Sequence, residues 1–109
     1  MKLAIIGSRG LKPVLAPHMP SGVSEIVSGG AAGVDACAAA YAREKGIRLT
    51  EFLPQYALYG RAAPIVRNRQ IVAYADAVLV FWDGKSKGTL SVIHYARQAN
   101  KDCRIILCQ

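Results

Sequence analysis

The stretch DAVLVFW, residues 76–82, decides the fold. From Val78 to Trp82 no polar side chain interrupts it. A strand with one solvated face alternates apolar and polar residues, whereas a strand of a parallel sheet covered by helices on both sides reads as a continuous apolar run. Residues 76–82 are therefore expected at the centre of such a sheet. The flanks agree. Upstream, Ile65, Ile71, Val72 and Ala75 recur at helical spacing over 62–75, with Pro64 tolerable in the first turn. Downstream, Val92, Ile93, Ala96 and Ala99 form an apolar stripe on a helix expected over 88–100.

The same alternation continues towards both ends of the chain. Residues 2–6 are a short apolar strand closed by Gly7. Residues 10–22 hold three prolines and read as loop around at most a short helix at 14–18. A second strand is expected at 24–27, an alanine-rich helix at 31–45 stopped by Gly46, and a third strand at 47–53 ending at Pro54. Residues 55–60 read as loop, and 103–108 as the last strand. Strands alternating with helices predict an α/β, Rossmann-like three-layer fold with a mostly parallel five-stranded sheet. Ligands of such sheets bind outside the carboxyl ends of the strands, where the winding reverses.

Composition bounds the function. A chain of 109 residues is of single-domain size and buries roughly 60–70% of its unfolded surface. With 52% hydrophobic and 19% charged residues, disorder is excluded. No apolar run approaches the ~20 residues of a membrane span, and residues 3–6 are too short for a signal-peptide core, so a soluble cytoplasmic protein without membrane contact is expected. Cys37, Cys103 and Cys108 contain no CxxC pair and sit in apolar segments as buried thiols would. Neither a metal nor a cofactor is expected. The net charge of +7, from 14 Lys and Arg against 7 Asp and Glu, favours anionic partners, single-stranded nucleic acid among them, or serves solubility alone.

Three glycine-bearing loops follow strands: GSRG at 7–10, SGGAAG at 28–33 and DGKSKGT at 83–89. Backbone N–H groups of such turns, with a helix N-terminus behind them, suit a phosphate. The same glycines also suit tight turns and close packing of helix on strand. SGGAAG lacks the first glycine of GxGxxG, and GxxxxGK[ST] occurs nowhere, so neither a dinucleotide fingerprint nor a Walker-type ATPase is indicated. Asp35, in the first helical turn, would repel a phosphate on the same amides; it either takes a ribose hydroxyl or an N–H group, or simply favours its helix start. Lys85 and Lys87 supply cations, and Thr89 a hydroxyl, at a second helix start. Arg67 and Asn68, with Arg69, are either a phosphate clamp or a solvated helix face. His18 and His94 have no triad partners. Tyr56, Tyr59 and Trp82 could stack on bases, although Trp82 ends an apolar strand and fits the core better.

The set I5-I-G-S-R9, S28-G-G-A-A-G-V-D35, R67-N68 with Asp76 at the next strand start, and G84-K-S-K-G-T89 resembles the SLOG superfamily of Rossmann-like nucleotide-binding proteins. That superfamily includes the DprA DNA-processing proteins, the LOG phosphoribohydrolases and stand-alone domains of the YspA and YpsA kind. The resemblance implies the strand order 3-2-1-4-5 and recognition of a nucleotide or nucleotide-derived ligand. It places Gly7, Ser8 and Arg9 in the pocket, with Ser28, Gly29, Gly30, Gly33 and Asp35 from the second loop and Gly88 and Thr89 from the third. The residues themselves add Ala31 from the second loop, Arg67 and Asn68 from the helix, and Gly84, Ser86 and Lys87 from the third loop as ligand-binding candidates.

Catalysis is left open by the resemblance, with Arg67 and Asp35 as candidates. LOG enzymes release the base from nucleoside monophosphates using an arginine, matched by Arg67, and glutamates whose positions hold Val66 and Val92 here. DprA proteins bind single-stranded DNA, and their SGxAxGxD segment is matched by Ser28, Gly29, Ala31, Gly33 and Asp35. Pairing of subunits through the apolar helices is a further implication by analogy.

Overall fold

Apolar strands that cannot face water pair with one another and leave both faces to helices. In the computed structural model, which describes residues 1–108, five strands do so: β1 (Lys2–Gly7), β2 (Glu25–Ser28), β3 (Arg48–Glu51), β4 (Ala77–Trp82) and β5 (Asp102–Leu107). All pairs are parallel and the order is β3-β2-β1-β4-β5, as expected. Residues 76–82 are interior but not central, because β4 lies between β1 and β5 while β1 takes the middle. A continuous apolar run reports only that both faces are covered, and every interior strand shares that property.

The helices are α1 (Val34–Lys45), the single turn α2 (Tyr56–Tyr59), α3 (Ala63–Tyr74) and α4 (Lys87–Gln98). Helix α1 begins at Val34 and not at Ala31, because Gly33 has φ 73° and ψ −122°, a conformation no helix contains. It ends where Gly46, at φ 66°, turns its N–H back onto the Ala42 and Arg43 carbonyls. Residues 55–60, expected as loop, form α2 and the start of a 3₁₀ turn (Gly60–Ala62) that runs straight into α3. Pro64 sits in the first turn of α3, where its missing N–H costs nothing. The loop after β1 contains only a 3₁₀ turn (Ala16–His18).

Alternation along the strands divides the core in two. Leu3, Ile5, Ile26, Leu79 and Phe81 meet Val34, Ala38 and Ala42 of α1, with Leu15 from the loop. Ala4, Ile6, Val27, Val78 and Val80 meet Ile71, Val72 and Ala75 of α3 and its edge, and Val92, Ile93 and Ala96 of α4. The three cysteines are unpaired and half-buried, more open than expected, since all three lie towards the periphery of the two clusters. No helix among the described residues is long and apolar enough to cross a membrane.

At the amino-terminal edge of the sheet the buried Glu25 is satisfied by its neighbours. Its Oε2 accepts hydrogen bonds from the Tyr74 hydroxyl at 2.5 Å and the Thr50 hydroxyl at 2.7 Å. These bonds, Tyr74 first, hold the carboxyl below its ordinary range. A carboxyl lowered by folding stabilises the fold above its unfolded pKa, and that stability is lost as pH falls through the folded value. Tyr74→Phe should therefore move acid unfolding, followed by far-UV circular dichroism from pH 7 to 2, to higher pH. An unchanged midpoint would show that the phenol contributes nothing to acid resistance.

Candidate functional site

The chain runs from β1 outward to β3 and then returns to β4 on the other side of β1, so the winding reverses between β1 and β4. Outside the carboxyl ends of these two strands lies a cavity of about 410 Å³. It is lined by residues 7–10 after β1, by Gly29, Ala31 and Asp35, by Pro64, Arg67, Asn68 and Ile71 of α3, and by Asp83, Ser86, Gly88, Thr89 and Val92 around the start of α4. Ligand sites occupy such switch points, and this volume falls within the roughly 300–1,000 Å³ of small-molecule sites.

The glycine loop 28–33 is packed and not open. A Cβ on Gly33 would land on the Arg9 backbone, one on Gly30 on the Leu53 side chain, and one on Gly29 lies 2.6 Å from Arg67 Nη1 and 3.0 Å from Asp35 Oδ2. Gly7 likewise lets α1 approach, since its Cβ would stand 2.6 Å from Val34 Cγ2. Where a phosphate was expected, the loop holds the protein's own carboxylate. Asp35 is buried and its Oδ2 accepts the Ala31 N–H at 3.1 Å. Arg67 Nη1 donates to the Gly29 carbonyl at 2.6 Å, and its Nε donates to Asn68 Oδ1 at 2.9 Å. Arg67 thereby ties α3 to the glycine loop across the cavity.

The opposite wall is prepared differently. Asp83 Oδ1 accepts the Lys85 and Ser86 N–H groups, both at 2.8 Å, and these bonds, with Ser86 first, hold the carboxyl below its usual range. Ser86 caps α4 by accepting the Thr89 N–H at 3.3 Å, and its carbonyl accepts the Trp82 indole N–H at 3.0 Å. Ser8, buried below the crevice, donates its N–H to the Phe81 carbonyl at 3.1 Å and so ties β1's loop to β4. Among the described residues no acceptor meets the Lys87 and Gly88 amides, and nothing stands within 4 Å of a Cβ at Gly88. The positive end of a twelve-residue helix thus opens into the cavity.

Of the residues expected at the site, Gly7, Ser8, Arg9, Gly29, Ala31 and Asp35 line this cavity, as do Arg67, Asn68, Ser86, Gly88 and Thr89. Five do not. Ser28 is fully buried beneath the loop, Gly30 and Gly33 serve its packing, Gly84 makes a turn at φ 80°, and Lys87 is exposed outside the lining. Asp83 is the polar lining residue that sequence reasoning missed. Its signal was present in Asp83-Gly84 directly after a strand, the chemistry of a side chain that organises the next turn. Of the aromatic candidates Tyr56 and Tyr59 are exposed, and Trp82 is half-buried against the core. His18 packs edge-on to Phe81 at 5.4 Å, and His94 is exposed.

Burial pushes the Asp35 carboxyl above its ordinary range, against the opposing pull of the Ala31 N–H and of Arg67. A carboxyl raised by folding adds stability below its unfolded pKa that is lost as pH rises through the folded value. Asp35→Asn cannot ionise but keeps an oxygen for the Ala31 N–H. Urea midpoints measured from pH 4 to 8 should therefore be higher for Asp35→Asn than for the parent at pH 7, the gap closing towards pH 4. A lower midpoint at pH 7 would mean that attraction to Arg67 outweighs burial.

No family model, no curated protein and no solved structure matches the chain.

Proposed function

We propose that this protein binds a nucleotide or nucleotide-derived phosphorylated ligand in the crevice between β1 and β4, as a sensor or processing domain. The observation that carries this is the opening of the α4 N-terminus, with the unengaged Gly88 amide, into a 410 Å³ cavity at the switch point. Phosphate seats there, with the Arg9 guanidinium on the facing loop supplying positive charge. The sugar and base extend towards Asp35 and Arg67. The resemblance of GSR, SGGAAGVD and GKSKGT to SLOG proteins supports the same ligand class.

A thermal-shift series with adenosine monophosphate, ribose 5-phosphate and ADP-ribose tests it. Ligand at a hundred times its Kd stabilises by about 2.7 kcal/mol, which raises the Tm of a domain this size by roughly 10 °C. No rise with any of the three at millimolar concentration would overturn the proposal.

Hydrolysis of the N-glycosidic bond is the rival that one observation favours: the Asp35 carboxyl faces the cavity and is raised by burial, as a general acid would be. The position of the LOG glutamate holds Val92, buried in the cavity wall. Release of free base from adenosine monophosphate, lost in Asp35→Asn, would establish catalysis over binding alone.

A further inference from the structure

The two ends of the crevice are chemically opposite. At the α4 end, Gly88 lines the cavity, its amide meets no acceptor among the described residues, and nothing stands within 4 Å of a Cβ there. At the α1 end, the loop amide that an anion would take is already bonded to Asp35, and the Arg67 guanidinium is engaged by the Gly29 carbonyl and by Asn68. A carboxylate lining a cavity offers acceptors and repels phosphate.

We infer that Asp35 is the specificity-determining residue of this site: its carboxylate stands in for an anion on the glycine loop, so this end rejects phosphate and accepts a sugar hydroxyl. The ligand is thereby oriented, phosphate at α4 and hydroxyl-bearing sugar at α1. Arg67 acts through others as a positioning residue, because its Nη1 bond to the Gly29 carbonyl holds the loop that presents Asp35. The inference rests on the nucleotide-type ligand proposed above, and it narrows that ligand to a phosphorylated sugar with a free hydroxyl at the far end. Inorganic phosphate alone, or a ligand with phosphate at both ends, lacks the group that Asp35 would accept.

The test compares calorimetric affinities for ribose 5-phosphate and inorganic phosphate in the parent, Asp35→Asn and Asp35→Ala. A hydrogen bond to a charged acceptor corresponds to about tenfold or more in affinity. The ratio of ribose 5-phosphate to phosphate affinity should fall at least tenfold in Asp35→Ala and by an intermediate factor in Asp35→Asn, while phosphate itself binds no more weakly. The Asn variant, which keeps the acceptor for Ala31, carries the comparison if the Ala variant fails to fold. An unchanged ratio, or parallel loss of both ligands, would overturn the role of Asp35 while leaving the nucleotide site standing. A parent that binds neither compound would remove the site and the inference together.

Discussion

Replacing Gly33 with alanine should cost roughly 3–5 kcal/mol, a large share of the about 5–15 kcal/mol that holds an ordinary domain folded. Two effects add. At φ 73° and ψ −122° an L side chain is strained by about 1–3 kcal/mol. The added Cβ would also meet the Arg9 carbonyl, with Arg9 Cα only 2.8 Å away, and a backbone held by its own bonds cannot swing aside as a side chain could. Urea denaturation followed by circular dichroism measures the loss. Gly46→Ala is the control: Gly46 shares a positive φ of 66°, but nothing lies within 4 Å of its Cβ, so only about 1 kcal/mol is expected. Equal losses at the two positions would show that conformational strain alone, and not the contact between loops, makes Gly33 necessary.

Gly88→Leu should abolish ligand binding, by at least about a hundredfold, without lowering the Tm. The position lines the cavity and has open space around its Cβ, so a leucine there is expected to occupy the volume assigned to phosphate. Leucine is also the better residue within a helix, by about 0.8–1 kcal/mol at interior positions and less in the first turn. Calorimetry with adenosine monophosphate reads the affinity, and a melt of the unliganded protein reads the stability. Full affinity in Gly88→Leu would move the phosphate away from the start of α4. Loss of binding together with a lower Tm would point to a structural role for Gly88.

The interior strands followed from local pattern because a parallel strand buried on both faces announces itself as an unbroken apolar run, whereas the strand order came from the resemblance and the edge strands β3 and β5 are only partly buried. Val78–Phe81 and Leu3–Ile6 were legible for that reason. Residues 55–60 were not, since Tyr56 and Tyr59 have no helical period of their own and the turn is completed only by its continuation into α3. The site was legible as three loops on one sheet edge. What each loop offers was less so, because Gly33, Gly30 and Gly88 look alike in the chain. Gly33 packs on Arg9, Gly30 on Leu53, and only Gly88 opens into the crevice.

Sequence by itself determined the α/β layer, the sheet edge that bears the crevice and the glycines that a tight approach of loops requires, since these depend on period, turn chemistry and the number of crossovers. Tertiary structure decided which helix start is open to an anion. Asp35 and Ala31 are close in sequence, but their bond joins a loop amide to the first turn of α1, and Arg67 reaches the same loop from α3 at the Gly29 carbonyl. Occupancy of a backbone donor depends on where distant side chains converge, and that convergence exists only once the sheet has brought α1, α3 and α4 around one cavity.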